Sequence, residues 1–216
     1  MTSTSTEAPH PPVTAVGRFT ERPSEGASKT LRAAGWWAGA QRAEVTVRGF
    51  SYGVDQPVRS GGRDTAPTPM EFVAGAVDAC AVMVIEQSAR RRGVPLTAVS
   101  AYSLARQDTR GMSRTADVQP YFHTYRLELC VATPQDDPAA LRSLAVDVEH
   151  SCPALNLLRD AAIDLTVAWT FTRTLEPHHA EARCNAALGY ESRLTDETLP
   201  TPTFTLIDAD VPGVHA

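Results

Sequence analysis

The chain has 216 residues with 43% hydrophobic and 21% charged side chains, a globular composition that excludes an intrinsically disordered chain and leaves room for one domain with extensions. Its 20 Lys and Arg against 25 Asp and Glu give a formal charge of −5, whereas a nucleic-acid binder needs a basic stripe. The acidity lies after Leu175, where Glu176, Glu181, Glu191, Asp196, Glu197, Asp208 and Asp210 outnumber Arg183 and Arg193, and residues 1–174 are formally neutral.

Residues 1–28 are rich in Thr, Ser and Pro and poor in apolar side chains, so they read as a disordered leader that cannot offset its own ordering entropy. The leader has neither a charged n-region nor an apolar h-region, which removes a secretory signal and points to the cytoplasm. A strand-like segment follows with Val45, Val47, Phe50 and Tyr52, then a turn-rich stretch from Asp55 to Pro69. Met70 to Arg92 reads as a long helix with a Gly93-Val94-Pro95 stop. Its apolar residues run nearly all round, a pattern of central helices covered on several sides. The run Phe72 to Ile85 is broken by Asp78, short of the about 18 uninterrupted apolar residues of a membrane span. Asp78 itself requires a partner inside that apolar stripe. Arg90, Arg91 and Arg92 sit where cations complement the C-terminal carbonyls and dipole of a helix.

Two strands are expected next, Thr97–Arg106 and Tyr121–Thr133, the second with Tyr125, Leu127, Leu129 and Val131 on one face, and Asp108 to Gly111 is a turn between them. Asp137-Pro138 opens a helix that ends near His150, and a short helix follows Cys152-Pro153. Ile163 to Phe171 alternates as a half-buried strand. Strands and helices in this order make an α+β domain over 29–174. The Pro-interrupted acidic tail, 175–216, has one strand-like run at Phe204–Ile207.

The four cysteines form no CxxC pair, and His150, His178 and His179 lack zinc spacing, so no metal or other cofactor is expected. Cys130 shares a strand face with Arg126 and Glu128, and Cys184 lies in the tail. Cys152 precedes Pro153 and so takes the N-cap position, where a helix dipole favours a thiolate. Cys80 lies deep in the long helix, beyond the reach of the dipole.

The run Asp55-Gln56-Pro57, Gly61-Gly62 and Ala66-Pro67-Thr68-Pro69-Met70-Glu71-Phe72-Val73, then Cys80 with Ala89 and Gly93-Val94, resembles the OsmC/Ohr family of thiol peroxidases. Ser151-Cys152-Pro153-Ala154-Leu155-Asn156 resembles the second cysteine motif of that family, and Asp108 to Gly111 fits the segment after its central helix. The resemblance spans roughly Ala27 to Thr174. It implies an OsmC-like fold of antiparallel sheets around a long central helix, in an intertwined homodimer with sites at the interface. It also implies reduction of organic hydroperoxides: Cys80 becomes a sulfenic acid, Cys152 condenses with it to a disulfide, and a dithiol such as a lipoylated protein or thioredoxin restores both thiols.

A thiolate at Cys80 needs a nearby cation. The resemblance implies an arginine from the N-terminal sheet held by a glutamate just before the helix, and the candidates are Arg48, then Arg42 and Arg63. Glu71 stands one place later than the peroxidase glutamate, where this chain has Met70. Nine residues place Glu71 about 13.5 Å along the helix from Cys80 and on the opposite face. It would therefore serve a Cys80 site of the other subunit, or act as a favourable charge in the first helical turn. Two alternatives to a peroxidase stand beside it: a dimeric OsmC-like ligand-binding or thiol-transfer protein, and a redox sensor switching through Cys80 and Cys152.

Overall fold

The computed structural model describes residues 19, 21, 23–161, 163–176, 179–187 and 201–207. They fall into two compact units, one within 18–80 and one within 81–216. Most of the leader, and the tail positions 177–178, 188–200 and 208–216, lie outside the described residues.

The first unit is a three-stranded antiparallel sheet of β1 (Ala34–Gly39), β2 (Arg42–Val47) and β3 (Phe50–Val54), followed by the start of α1 (Pro69–Arg92). β1 is not foreseen in the sequence reading because Ala and Gly have little strand preference; its pairing with β2 holds it in place. The register puts Trp37, Val45, Val47, Phe50, Tyr52 and Val54 on one face and Trp36, Glu44 and Gly53 on the other. On the apolar face Tyr52 packs against Phe72 of α1, ring centroids 4.9 Å apart.

α1 begins with a capping box. The backbone N–H of Thr68 donates to Glu71 Oε2 (2.7 Å) and the Glu71 N–H donates to Thr68 Oγ1 (3.3 Å), with Pro69 at the first helical position. The helix ends at Gly93, φ +66°, where the Val94 N–H returns to the Ala89 carbonyl (2.9 Å), the stop that the sequence predicts. Within the single chain α1 is not covered on all sides: Val73 is 43% and Met83 60% exposed. By length and composition alone α1 could cross a membrane, which the uninterrupted-run criterion did not reveal, because Ala and Val dilute Asp78.

The second unit centres on a four-stranded sheet, in the order β4 (Ala98–Gln107), β5 (Phe122–Ala132), β6 (Asp164–Thr172), β7 (Pro202–Ile207). It is a mixed sheet, not the antiparallel one expected, because β5 and β6 run parallel. Two helices, α3 (Pro138–Ser151) and α4 (Pro153–Asp160), supply the crossover that a parallel pair requires. Asp137 caps α3 by accepting from the N–H groups of Ala139 and Ala140. Tyr125, Leu127, Leu129 and Val131 are buried together with Val167, Trp169 and Phe171, as the alternation predicts, and α3 and α4 contribute Leu141, Leu144, Val148, Leu155 and Leu158 to this core.

Three further features correct the sequence reading. Asp108 to Gly111 is not a simple turn: Asp108 caps the short helix α2 (Thr109–Ser113) through the Arg110 N–H. Gly111 is needed there, since a Cβ would lie 2.5 Å from the Val118 carbonyl oxygen. Arg91 and Arg92 do not close the carbonyls of α1; both reach Asp147 of α3, at 3.2 and 3.4 Å. Burial raises the Asp147 pKa, but hydrogen bonds from Arg92, Ser88 and Arg91 outweigh it and hold the carboxyl below its ordinary range. Finally, the tail is partly folded: β7 pairs antiparallel with β6, and the unforeseen α5 (His179–Ala187) packs on β4.

Candidate active site

Cys80 ends the first unit, half-buried on α1, and is not in a disulfide. One turn either side, Ala76 and Met83 are exposed, so the thiol lies along an apolar helix edge.

The arginine candidates take different places. Arg42 is half-buried and committed: its guanidinium donates to Glu44 Oε1 (Nη2 at 2.6 Å) and Thr65 Oγ1 (Nη1 at 2.6 Å) and lies 3.9 Å from Asp55. Gly53 leaves room for this side chain, since a Cβ there would lie 2.3 Å from Arg42 Nη2. Arg48 occupies the β2–β3 turn at φ +56°, its guanidinium 5.0 Å above the Phe50 ring, and makes no ion pair among the described residues. Arg63 is exposed, and its backbone N–H donates to Asp55 Oδ1.

Asp55, in the first part of the recognised motif, organises this loop. Its buried carboxylate accepts from Thr65 Oγ1 (2.6 Å) and from the backbone N–H groups of Gln56, Arg63 and Thr65. The Thr65 hydroxyl bond leads, and with the three amides it outweighs burial, lowering the pKa to about 2. Gly62 cannot be replaced without moving backbone, because a Cβ would fall 1.9 Å from the Gln56 carbonyl oxygen. The Glu71 carboxylate is held by its own helix through the capping box.

Cys152, in the second unit, is fully buried at the junction of α3 and α4, at the N-cap position that the sequence predicts. Asn156 ties that junction together: its Nδ2 donates to the carbonyls of Glu149 (3.2 Å), His150 (3.0 Å) and Cys152 (2.9 Å). The first two are carbonyls of the last turn of α3, and the Cys152 carbonyl also accepts from the Asn156 N–H as the first bond of α4. Beneath the junction lies a network missed in the sequence reading. Glu149, fully buried, accepts from Arg159 Nη2 (2.5 Å) and from Trp169 Nε1 (2.8 Å), while Arg159 Nη1 donates to the Glu149 carbonyl (2.9 Å). A signal was present: Glu149 follows Leu141 and Ala145 at four-residue spacing, on the buried stripe of α3.

Cys130 faces away from the main core, beside Glu128, and burial pushes its thiol up to about 11. Cys184 is exposed on α5. Among the described residues no cluster of His, Cys, Asp or Glu is placed to hold a metal.

An α+β protein with one cysteine midway along a long helix and a second capping the second helix of a two-helix crossover defines the class. The family model described as OsmC-like protein matches residues 61–168, half of the chain, and the chain belongs to that family. Its fold is similar to that of the OsmC-like protein from Mycoplasma pneumoniae, at 14% identity and TM-score 0.58 over 66% of this chain and 97% of that one. An OsmC-like protein of unknown function from Vibrio cholerae matches at 10% identity and TM-score 0.54, covering 67% and 99%. A putative osmotic stress induced and detoxification response protein from Psychrobacter arcticus matches at 15% and 0.51, covering 65% and 95%. None of the curated proteins matches this chain. Membership makes α1 the long helix of an OsmC-like soluble fold.

Proposed function

We propose that the protein is a cysteine-dependent peroxidase that reduces organic hydroperoxides in the cytoplasm. The observation that carries this reading is the pair of cysteine motifs, at Cys80 and Cys152, in an OsmC-family chain. The Cys80 thiolate attacks the distal peroxide oxygen, the O–O bond breaks, and the alkoxide leaves as an alcohol after taking a proton. Cys80 becomes a sulfenic acid. Cys152 then attacks that sulfur, forming a disulfide and releasing water. A dithiol, lipoylated or thioredoxin-like, reduces the disulfide by exchange. Arg48 is the proposed cation at Cys80, supported by its lack of a carboxylate partner among the described residues.

The proposal includes a homodimer. It is supported by apolar side chains that a single chain leaves exposed: Trp37 is 79% and Phe50 64% exposed on one face of the first sheet, and Val73 and Met83 are exposed on α1. Light scattering is expected to give twice the chain mass of 23.2 kDa. A stable monomer would remove the partner-subunit role proposed for Glu71.

The chemistry is tested by titrating free thiols before and after one equivalent of cumene hydroperoxide and mapping any disulfide by peptide mass. Rapid loss of two thiols with a Cys80–Cys152 link is expected. Survival of all four thiols would leave the second reading, an OsmC-like ligand-binding or thiol-transfer protein. That reading is favoured by one observation, the engagement of the Glu71 carboxylate by the Thr68 N–H.

A further inference from the structure

The outer face of the four-stranded sheet carries a cavity of about 230 Å³ beneath α5. Its floor is a row in register across three strands, Ser100, Cys130 and Thr170, and its roof is His179 and Arg183, one turn apart on α5. All of these residues belong to the second unit, and the roof lies beyond the stretch that matches the family model.

The polar lining includes groups able to donate a hydrogen bond, Ser100, Thr170, His179 and Arg183. Glu128 is the one carboxylate on the wall, and both its oxygens are engaged, Oε1 by Arg126 Nε (3.0 Å) and Oε2 by Arg183 Nη2. Two guanidinium groups around one carboxylate leave a local charge of +1. Arg183 lies over the Tyr102 ring, 5.4 Å from its centroid, and uses one of its five N–H donors on Glu128. His179 Nδ1 is buried without a hydrogen-bond partner. The hydroxyls of Ser100 and Thr170 make no hydrogen bond among the described residues. Buried polar groups are ordinarily satisfied, so a buried imidazole nitrogen without a partner, beside two unengaged hydroxyls and a net positive charge, fits an acceptor that bears negative charge. The Tyr102 ring, Leu129 and Pro202 add apolar wall, which suits a short carbon chain rather than a bare inorganic ion.

We infer that this cavity binds a small organic carboxylate, its oxygens received by Arg183, His179 and the floor hydroxyls and its chain lying against Tyr102, Leu129 and Pro202. The site is separate from the cysteine chemistry and stands whether or not the protein is a peroxidase.

The groups facing His179 set the pH dependence. Burial, and then the Arg183 charge, lower its pKa, while Glu128 opposes them; burial keeps the Cys130 thiol neutral. A bound carboxylate adds a negative charge beside the imidazole and raises its pKa again. Binding therefore takes up a proton and tightens as the pH falls.

The test is calorimetry of butyrate on the full chain, with butyramide and inorganic phosphate as comparison probes. One butyrate per chain is expected, about fivefold tighter near pH 6 than near pH 8. Affinity should fall about tenfold in Arg183→Gln, and by a smaller factor in Ser100→Ala/Thr170→Val, which leaves the anchor of α5 intact. Cys80→Ser should bind butyrate unchanged, which separates this site from the peroxide site. Equal binding of butyramide, or an unchanged affinity in both lining variants, would overturn the assignment. Phosphate binding without butyrate binding would overturn the organic ligand, and no saturation by any probe up to about 50 mM would mean that the cavity holds water only.

Discussion

A Cys80→Ser variant is expected to lose organic hydroperoxide turnover by about a thousandfold or more while keeping its fold, because a serine hydroxyl is not ionised at neutral pH and cannot replace a thiolate nucleophile. Cys152→Ser should behave differently. It should consume about one equivalent of peroxide per Cys80 and stop at the sulfenic acid, which a dimedone-type probe would trap. Single-turnover kinetics thus separates the two cysteines by role and not merely by importance. Loss of the first turnover in Cys152→Ser, or turnover retained in Cys80→Ser, would reverse or remove the proposed assignment. Glu71 is resolved in the same assay. If it does no more than close the capping box, Glu71→Ala lowers stability by about 1 kcal/mol and leaves the single-turnover rate alone. If the partner's Cys80 depends on it, that rate falls as well.

The Glu71 case shows how sequence and structure divide the information. Thr68-x-x-Glu71 ahead of an apolar run is a capping-box signature, readable without coordinates. In the pattern that the chain resembles, a neighbouring glutamate serves the thiol, so the same residue type has two roles open to it at this helix start. The structure shows a carboxylate already holding the first turn of its own helix. Whether it also meets a second chain is a property of the assembly and not of local spacing. Arg48 is similar: its place in the N-terminal sheet region was legible, but it stands in the β2–β3 turn at φ +56° and not on a strand, and neither the turn nor its seat over Phe50 could be read from the sequence.

Long periodic elements were the most legible. The Gly93 stop, the Asp137-Pro138 start and the alternation through Trp169 each rest on interactions a few residues apart, so their signals are local. The misses have nonlocal causes. β1 exists through its partner β2, the parallel β5–β6 pair depends on where the two-helix crossover returns the chain, and α5 is short and stabilised by the sheet beneath it. The aspartate loop was recognised as a motif, yet its physical reason, one carboxylate satisfied by four donors with a glycine packed against it, appears only in three dimensions.

Glu149 supplies the largest expected stability effect. In Glu149→Ala the Arg159 guanidinium, its side chain only 17% exposed, and the buried Trp169 indole N–H lose their acceptor together. Removing one partner of a buried pair leaves the other charge uncompensated, a loss of about 3–5 kcal/mol against a typical domain stability of about 5–15 kcal/mol. Urea unfolding followed by tryptophan fluorescence measures it, with Trp169 itself beside the change. Glu149→Gln keeps an acceptor for the indole and removes only the charge, so it should lose less. Replacing both partners, Glu149→Leu with Arg159→Leu, should recover part of the loss, since no charge is then left buried alone. An Ala variant within about 0.5 kcal/mol of the parent would show that water enters and satisfies Arg159. The same network also underlies the Cys152 junction, because Arg159 and Asn156 both bond the Glu149 carbonyl. Destabilisation there should therefore be accompanied by faster alkylation of Cys152, which is otherwise fully buried.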